Sequence, residues 1–229
     1  MPRPRWWWFL AVAVALVLAR AGLQLWADAP GHALRTDIHG LVRSAAALLG
    51  LGWAAQRCGG GWRLLAAGAA AWCSADVCWL LNELHPGRGW GTWADIAFAL
   101  FYPLFLAGVL LLPRAPGRTG FDLRRLLELG VVVAGTAAAL WALLVAPALA
   151  RGMPDGWLLA VGYPLGDLLV LWAALDLAVL GRSAGDALTG RLLALAAGVL
   201  VVADGIYGAQ TLAGTYQSVN ALGILWTTA

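Results

Sequence analysis

The chain has 229 residues, of which 62% are apolar and 12% are charged, and its formal net charge at pH 7 is +3. Soluble domains average roughly 45–50% apolar and about 25% charged residues. With a mean hydropathy of +0.77, the chain carries more apolar surface than a soluble core can bury. These values exclude a disordered chain, a soluble α/β enzyme and a disulfide-linked secreted module, and they predict an integral membrane protein.

In chain order, the apolar segments predict an all-α membrane domain that fills residues 1–229. A helix needs roughly 20 apolar residues to cross the hydrocarbon core of a bilayer. Seven complete spans are predicted, at about 6–26, 38–55, 64–82, 95–112, 126–149, 157–180 and 192–212. An eighth begins near residue 219 and reaches residue 229, which is too short to cross. We therefore expect the chain to continue into the rest of that helix.

The arginines predict the orientation of these spans. Ten arginines precede the first span or follow the second, fourth and sixth: Arg3, Arg5, Arg57, Arg63, Arg114, Arg118, Arg124, Arg125, Arg182 and Arg191. The opposite loops hold only Arg35, Arg88 and Arg151. Because cytoplasmic loops are enriched in basic residues, the N-terminus is predicted to be cytoplasmic and the protein to lie in the inner membrane. Arg20 and Arg43 lie within spans, near the outer side, and we expect them to extend towards the outer surface.

Two segments predict an internal repeat. Residues 63–79 (RLLAAGAAAWCSADVCW) and residues 191–207 (RLLALAAGVLVVADGIY) are identical at seven of seventeen positions. The matches include an arginine and an aspartate at the same separation, Arg63 with Asp76 and Arg191 with Asp204. The offset corresponds to four spans, so the two repeats would be parallel, with residues 6–112 followed by residues 126–229.

Four aspartates lie in or beside the predicted spans, although a carboxylate in lipid is costly and normally faces a bundle interior or a wet cavity. Asp76 and Asp204 each lie thirteen residues after the arginine that opens their span, which is roughly 20 Å at the rise of a helix. Asp167 lies near the middle of the sixth span, and Asp95 opens the fourth at the outer boundary.

Tyrosine and proline occur at comparable depth. Tyr102 and Tyr163 are each followed by a proline, Pro103 and Pro164, which removes a backbone donor and is predicted to break the helix locally. Tyr163 shares a helical face with Asp167, and Tyr207 shares one with Asp204. Together these residues predict a polar cavity open to the outside. The alternative is that the buried aspartates and tyrosines only join helices by hydrogen bonds.

Other kinds of chemistry have little support in the sequence. The histidines His32, His39 and His85 have no metal-pair spacing, and the chain has no phosphate-binding loop, nucleophile elbow, HExxH motif or cysteine cluster. We therefore predict no catalytic residue, no metal and no cofactor in this segment. The dispersed arginines also argue against a nucleic-acid partner, which leaves membrane lipids as the expected surroundings.

A set of polar motifs nevertheless resembles a known group of proteins. SADVCW, WADIAFALFYPLFLAGVLLLPR, FDLRRLLELG, YPLGDLLVL, VVADGIYG and GTYQSVNALGILW occur in this order. The pattern resembles the multi-span N-terminal region that precedes GGDEF, and often EAL, domains in bacterial signalling proteins. Matching positions are Asp76, Tyr102, Pro103, Tyr163, Pro164, Asp167, Asp204 and Trp226. The resemblance implies a sensor or anchor, a cytoplasmic effector domain beyond residue 229 acting on cyclic di-GMP, and a homodimer. No GGDEF or EAL motif occurs in these residues.

Three functions follow as hypotheses. The first is a sensory or anchoring module of a signalling protein, whose effector would lie outside this segment. The second is a small membrane-bound lipid hydrolase similar to the lysoplasmalogenases, with Asp76 and Asp204 activating water. The third is a cation-coupled transporter that uses Asp167 and Asp204.

Overall fold

A computed structural model describes residues 7–25, 31–112, 123–152, 157–180, 183–216 and 222–229. These residues are mostly helical, and none of them is in a strand. The helices are α1 (Trp7–Gln24), α2 (His32–Cys58), α3 (Gly60–Leu84), α4 (Trp90–Leu110), α5 (Leu123–Leu140), α6 (Ala146–Arg151), α7 (Trp157–Leu180), α8 (Ala184–Leu212) and α9 (Leu222–Thr228). A π-helical turn, Trp141–Val145, joins α5 to α6.

Five of these helices are long and apolar enough to cross a membrane: α2, α3, α4, α7 and α8. The prediction of an all-α fold with several helices long and apolar enough to span a membrane is confirmed for the described residues. In the first and fifth predicted spans, the described apolar helical stretches are shorter, Ala11–Gln24 and Val133–Leu143. The predicted eighth span corresponds in part to α9, and several loop arginines used for orientation lie outside the described residues.

The helix ends follow local signals more closely than they follow hydropathy. The spans predicted at 38–55 and 192–212 are both longer in the structure, as α2 and α8. The extension of α8 has a clear cause in Ser183, whose hydroxyl accepts from the amide of Asp186, while the Asp186 carboxylate accepts from the amide of Ser183. This capping box stabilises a helix start several residues outside the apolar stretch.

The π turn is explained by a proline that follows it. Pro147 has no amide hydrogen, so the regular helical bond to the carbonyl of Leu143 cannot form. A π turn widens the helix by one residue and absorbs such a local defect. The predicted span at 126–149 is therefore an interrupted helix in the structure.

An apolar core cluster lies at one end of the bundle. The contacts of α7 with α8, α3 with α4 and α2 with α3 are the most extensive, and α4 with α7 joins the two halves. The buried cluster Leu65, Val109, Leu112, Ala173 and Leu177 lies near the start of α3 and the ends of α4 and α7. There, Gly61 lies against the backbone of Gly108, and an added Cβ would be 2.6 Å from the Gly108 carbonyl oxygen. The opposite end of the same helices holds polar side chains.

Candidate functional site

A cavity of about 260 Å³ lies at the end of the bundle opposite the apolar cluster, among α1, α2, α3, α4, α7, α8 and α9. It is lined by residues near the end of α3 and the end of α8, and near the start of α2, α4 and α7. In the orientation predicted from the arginines, this end faces the outside of the cell. The helical register therefore brings together side chains from both halves of the chain.

Six of the seven predicted polar residues line this cavity: Asp76, Asp95, Tyr102, Tyr163, Asp204 and Tyr207. The seventh, Asp167, does not line it. Asp167 is 1% exposed and lies beside Asp204 and Tyr102. Its carboxylate oxygens have no hydrogen-bond partner of good geometry among the described residues. Asp167 therefore lies behind the cavity wall, as a buried neighbour of Asp204.

Asp204 is held by two donors from other helices. The indole Nε1 of Trp226 donates to Asp204 Oδ1 over 2.6 Å, and the hydroxyl of Tyr102 donates to Oδ2 over 3.4 Å. Only 7% of Asp204 is exposed, so these donors provide what water would otherwise supply to the carboxylate. The contacts connect α8 to α9 and to α4.

Asp76 has a basic partner. Arg43 Nη2 lies 3.5 Å from Asp76 Oδ2, and both side chains are largely buried. Through Nη1 the same guanidinium donates to the backbone carbonyl of Trp226. The chain of contacts thus runs from Asp76 through Arg43 and Trp226 to Asp204. Because each link joins a different pair of helices, the two aspartates of the predicted repeat are mechanically connected through α2 and α9.

The rest of the wall is aromatic. The Tyr163 hydroxyl donates to Asp95 Oδ1 over 3.1 Å. The rings of Tyr102 and Tyr163 stack with centroids 6.2 Å apart, and Tyr207 lies 6.2 Å from Tyr163 and 4.9 Å from Tyr216. Aromatic faces carry negative partial charge, which attracts cations. This part of the cavity lining therefore places aromatic ring faces beside carboxylates, an arrangement that attracts cations.

The two prolines do not break their helices. Helix α4 continues through Pro103, and α7 continues through Pro164. The prediction of a helix break is wrong: each proline removes one backbone hydrogen bond, and the helix continues on both sides of it. The physical effect of each proline is narrower, since the carbonyls of Ala99 and Ala160 lose their usual helical donor. The preceding tyrosines, Tyr102 and Tyr163, still face the cavity.

The expectation that Arg20 and Arg43 extend to the membrane surface is wrong. Arg20 is 4% exposed and Arg43 is held by Asp76, and both line the cavity. A basic residue inside a span usually faces the bundle interior, where it can pair with an acid. The rule applies to arginines as well as to aspartates, so it could have been used to predict from the sequence that Arg20 and Arg43 face the bundle interior.

Other cavity residues were not singled out by the sequence. Asp37 and His39 of α2 line the cavity together with Arg43, and Tyr216 follows the end of α8. Burial raises the pKa of Tyr216 to about 12, so its hydroxyl stays protonated and able to donate at neutral pH. Trp226 was identified only through the resemblance, and nothing in its local sequence indicated its bond to Asp204.

The cavity lining contains five carboxyl groups and two guanidinium groups. Among the described residues, no group of three or more histidine, cysteine or acidic side chains is arranged to hold a metal ion. The arrangement is suited to binding a small polar molecule through hydrogen bonds, charges of both signs and ring faces.

Comparison of the chain with protein-family models, with curated proteins and with solved structures gives no match. The functional argument therefore rests on the cavity and its chemistry.

Proposed function

We propose that this chain is a membrane-embedded sensory module of a bacterial signalling protein in the inner membrane, and that the cavity binds its signal molecule. The observation that carries the proposal is the connected set of polar contacts around the cavity. Residues of α2, α3, α4, α8 and α9 are joined through Arg43, Asp76, Trp226, Asp204 and Tyr102. A molecule that enters this cavity changes contacts on several helices at once.

Helix α2 is the element best placed to transmit such a change. It carries Gly40 and Arg43 at the cavity and Cys58 at its other end, where the thiol is exposed. Eighteen residues of helix separate Gly40 from Cys58, which is about 27 Å at 1.5 Å per residue. A ligand shifts the helix only if it binds two conformations with different affinity.

We propose a topology of seven spans and a parallel repeat for the same domain. Support comes from the order of the helices: an offset of 128 residues places α2 on α7 and α3 on α8, so that each pair of helices overlaps over most of its length. It also places Asp76 on Asp204, and both line the same cavity. The short apolar stretches of α1 and α5 would complete the first span of each repeat.

The resemblance to regions that precede GGDEF and EAL domains supplies the proposed partner, a cytoplasmic effector domain that works as a pair in a homodimer. The gene sequence beyond codon 229 tests this part. An open reading frame that continues into a soluble signalling domain is the expected result. A stop codon soon after codon 229 would contradict it.

Filling the cavity without changing its charge tests ligand binding and transmission. Gly40 lines the cavity, and a Cβ there would meet the Asp76 carboxylate at 3.8 Å, an ordinary contact distance, so the rest of a longer side chain would occupy ligand space. We expect Gly40→Leu to fold, since leucine favours helix over glycine by up to about 1 kcal/mol. We also expect it to lose the response to ligand. Gly50→Leu is the matched control, because its Cβ meets nothing within 4 Å on the same helix.

The response is measured at the far end of α2. A fluorophore on Cys58, with Cys73→Ala and Cys78→Ala to remove the other thiols, reports its surroundings when the small-molecule fraction of a bacterial cell extract is added. The signal is expected to change in the wild type and in Gly50→Leu, and to be lost in Gly40→Leu. An equal change in Gly40→Leu would show that the cavity is not the sensory site.

Hydrolysis of a lipid is a second candidate, favoured by the observation that Asp76 and Asp204 line one cavity. A hydrolase needs a carboxylate that is available to activate water. Here Arg43 pairs with one carboxylate, and Trp226 and Tyr102 bind the other. These contacts favour the sensory role. Lysophospholipid hydrolysis that disappears in folded Asp76→Asn and Asp204→Asn variants would instead support the enzyme.

A further inference from the structure

We infer that the molecule bound in this cavity is a small zwitterion, with its acidic group on Arg20 and its ammonium group beside Asp95 and the tyrosine rings. The inference names the ligand class for the sensory cavity and rests on the proposal that the cavity binds a ligand. Four observations carry it: a buried arginine whose Nε has no hydrogen-bond partner among the described residues, an acidic aromatic wall, the placement of tyrosines between the two, and the size of the cavity.

Arg20 marks the position of the acidic group. It lines the cavity, it is 4% exposed, and its Nε has no hydrogen-bond partner among the described residues. Among the described residues the close ion pair joins Arg43 to Asp76, and the carboxylate of Asp37 attracts Arg20 only at longer range, without an ion-pair contact. An unpaired buried charge costs several kcal/mol. A carboxylate or phosphate on the ligand would accept the unused donors of the guanidinium and offset that cost.

The glycine in α9 allows this arrangement. Gly223 lies directly against the Arg20 guanidinium, where any side chain would collide with it. Thr36, which also lines the cavity, has a buried hydroxyl without a partner among the described residues. Two residues of the cavity lining thus each have a buried donor without a hydrogen-bond partner among the described residues, one charged and one neutral.

The ammonium group is expected at the opposite wall. Asp95 accepts one hydrogen bond, from Tyr163, and its carboxylate retains acceptor capacity for a second donor. Phe98 lies 6.3 Å from Tyr163 between ring centroids, and both line the cavity. Ring faces together with a carboxylate recognise organic ammonium groups through cation–π attraction and charge. Asp95 has no arginine partner among the described residues, so this wall keeps its negative character.

Phenol rings connect the two ends. Tyr216 interacts with Arg20 on one side and with Tyr207 on the other. The next ring along the cavity wall after Tyr207 is that of Tyr163, whose hydroxyl donates to Asp95. A ligand lying along these rings meets a positive group at one end and a negative group at the other. The cavity volume of about 260 Å³ is slightly below the range of about 300–1,000 Å³ that holds drug-sized ligands, which suits a molecule of amino-acid size.

Ligands of a single charge fit less well. A simple cation would leave Arg20 unpaired, and a simple anion would meet the excess of carboxyl groups in the lining. Only a ligand with both charges satisfies both walls. Either a free small molecule or the head group of a zwitterionic lipid carries this chemistry, and the experiment separates these sources.

Calorimetric titration of the purified chain in detergent tests the inference. The zwitterionic probes are γ-aminobutyrate, the common amino acids, glycine betaine and phosphocholine. Each has matched controls that carry only the ammonium or only the acidic group, for example butylammonium and butyrate for γ-aminobutyrate. We expect at least one zwitterion to bind about tenfold or more tightly than both of its controls, since a hydrogen bond to a charged group contributes about 1.5–3 kcal/mol. Lysophosphatidylcholine is compared with phosphocholine, and tighter binding of the lipid would identify a head group as the source.

Two variants assign the ends. Arg20→Gln is expected to lower zwitterion affinity about tenfold or more while leaving ammonium binding unchanged. Asp95→Asn is expected to weaken ammonium and zwitterion binding and to spare the carboxylate controls, with Asp95→Glu restoring part of the affinity. Arg191→Gln is the matched control, because Arg191 is exposed near the start of α8 and lies outside the cavity lining.

The stability of the ligand-free protein gives a second readout for Arg20. Since Arg20→Gln removes a buried charge without a partner, we expect it to melt at or above the wild-type temperature. A merely structural arginine would instead lower the melting temperature on replacement. If the variant does not fold, Arg20 is structural and the assignment of the acidic group to it is wrong.

Two results would overturn the inference: alkylammonium probes that bind as tightly as every zwitterion in the wild type, or a complete set of zwitterions that does not bind. The Cys58 fluorophore keeps this test separate from the proposed function. Zwitterion binding without a change at Cys58 would contradict the sensory function and leave the ligand class standing. A change at Cys58 on addition of cell extract, without zwitterion binding, would support the sensory function and contradict the zwitterion as its ligand.

Discussion

Gly190→Ala is expected to destabilise the protein by about 3 kcal/mol, near the upper end of the usual cost of overpacking. Gly190, near the start of α8, lies against the backbone of α7, and an added Cβ would be 2.7 Å from the carbonyl carbon of Leu177. A backbone atom cannot rotate away as a side chain does. The two helices would have to separate along the contact that also surrounds the buried Leu177 and Ala173.

Gly198→Ala is the matched control in the same helix. Nothing lies within 4 Å of an added Cβ at Gly198, so the only expected effect is the helix preference of alanine, worth up to about 1 kcal/mol. Unfolding by sodium dodecyl sulfate in mixed micelles, followed by tryptophan fluorescence, measures both variants. Equal stability of the two would show that the close contact between α7 and α8 does not hold the bundle.

The helices could be predicted from the sequence because hydropathy is a local property. Segments such as 157–180 coincide with α7, Trp157–Leu180. Helix ends were less predictable, because caps such as Ser183 and Asp186 extend a helix beyond its apolar part. The π turn before Pro147 also depends on a local defect that hydropathy does not register.

The residues of the site likewise fall into those that local sequence predicts and those that it does not. Aspartates and tyrosines at matching depth are visible as exceptions in apolar segments, and the structure places six of them around one cavity. Their partners are not visible, because the contacts are distant in sequence: Arg43 donates to a carbonyl 183 residues away. The rotation of each helix decides whether an arginine faces lipid or the interior, and that rotation is set by packing rather than by the segment alone.

Removing the guanidinium of Arg43 has the largest expected effect at the site. Arg43→Gln leaves the Asp76 carboxylate without its counter-ion, and only 12% of that side chain is exposed to water. Because removing one partner of a buried ion pair leaves an uncompensated charge, we expect a loss of about 3–5 kcal/mol in the free energy of unfolding. The substitution also weakens the tie to the Trp226 carbonyl. Arg57→Gln is the control on the same helix, because Arg57 is exposed and its guanidinium lies over the Trp53 ring at 4.1 Å. We expect that change to cost about 1 kcal/mol or less.

The double variant Arg43→Gln with Asp76→Asn separates pairing from packing. If the cost of Arg43→Gln arises from an unpaired carboxylate, removing that charge as well should restore much of the stability, and the two single effects will not add. Additive losses in the same micelle unfolding assay would mean that Arg43 acts through Trp226 or through packing alone. The restored double variant also carries a functional consequence. It keeps the fold but lacks the ion pair between Arg43 of α2 and Asp76 of α3. Stability needs only that no charge is left unpaired, whereas transmission from the cavity needs the ion pair itself. The Cys58 response to ligand should therefore weaken although the protein is stable.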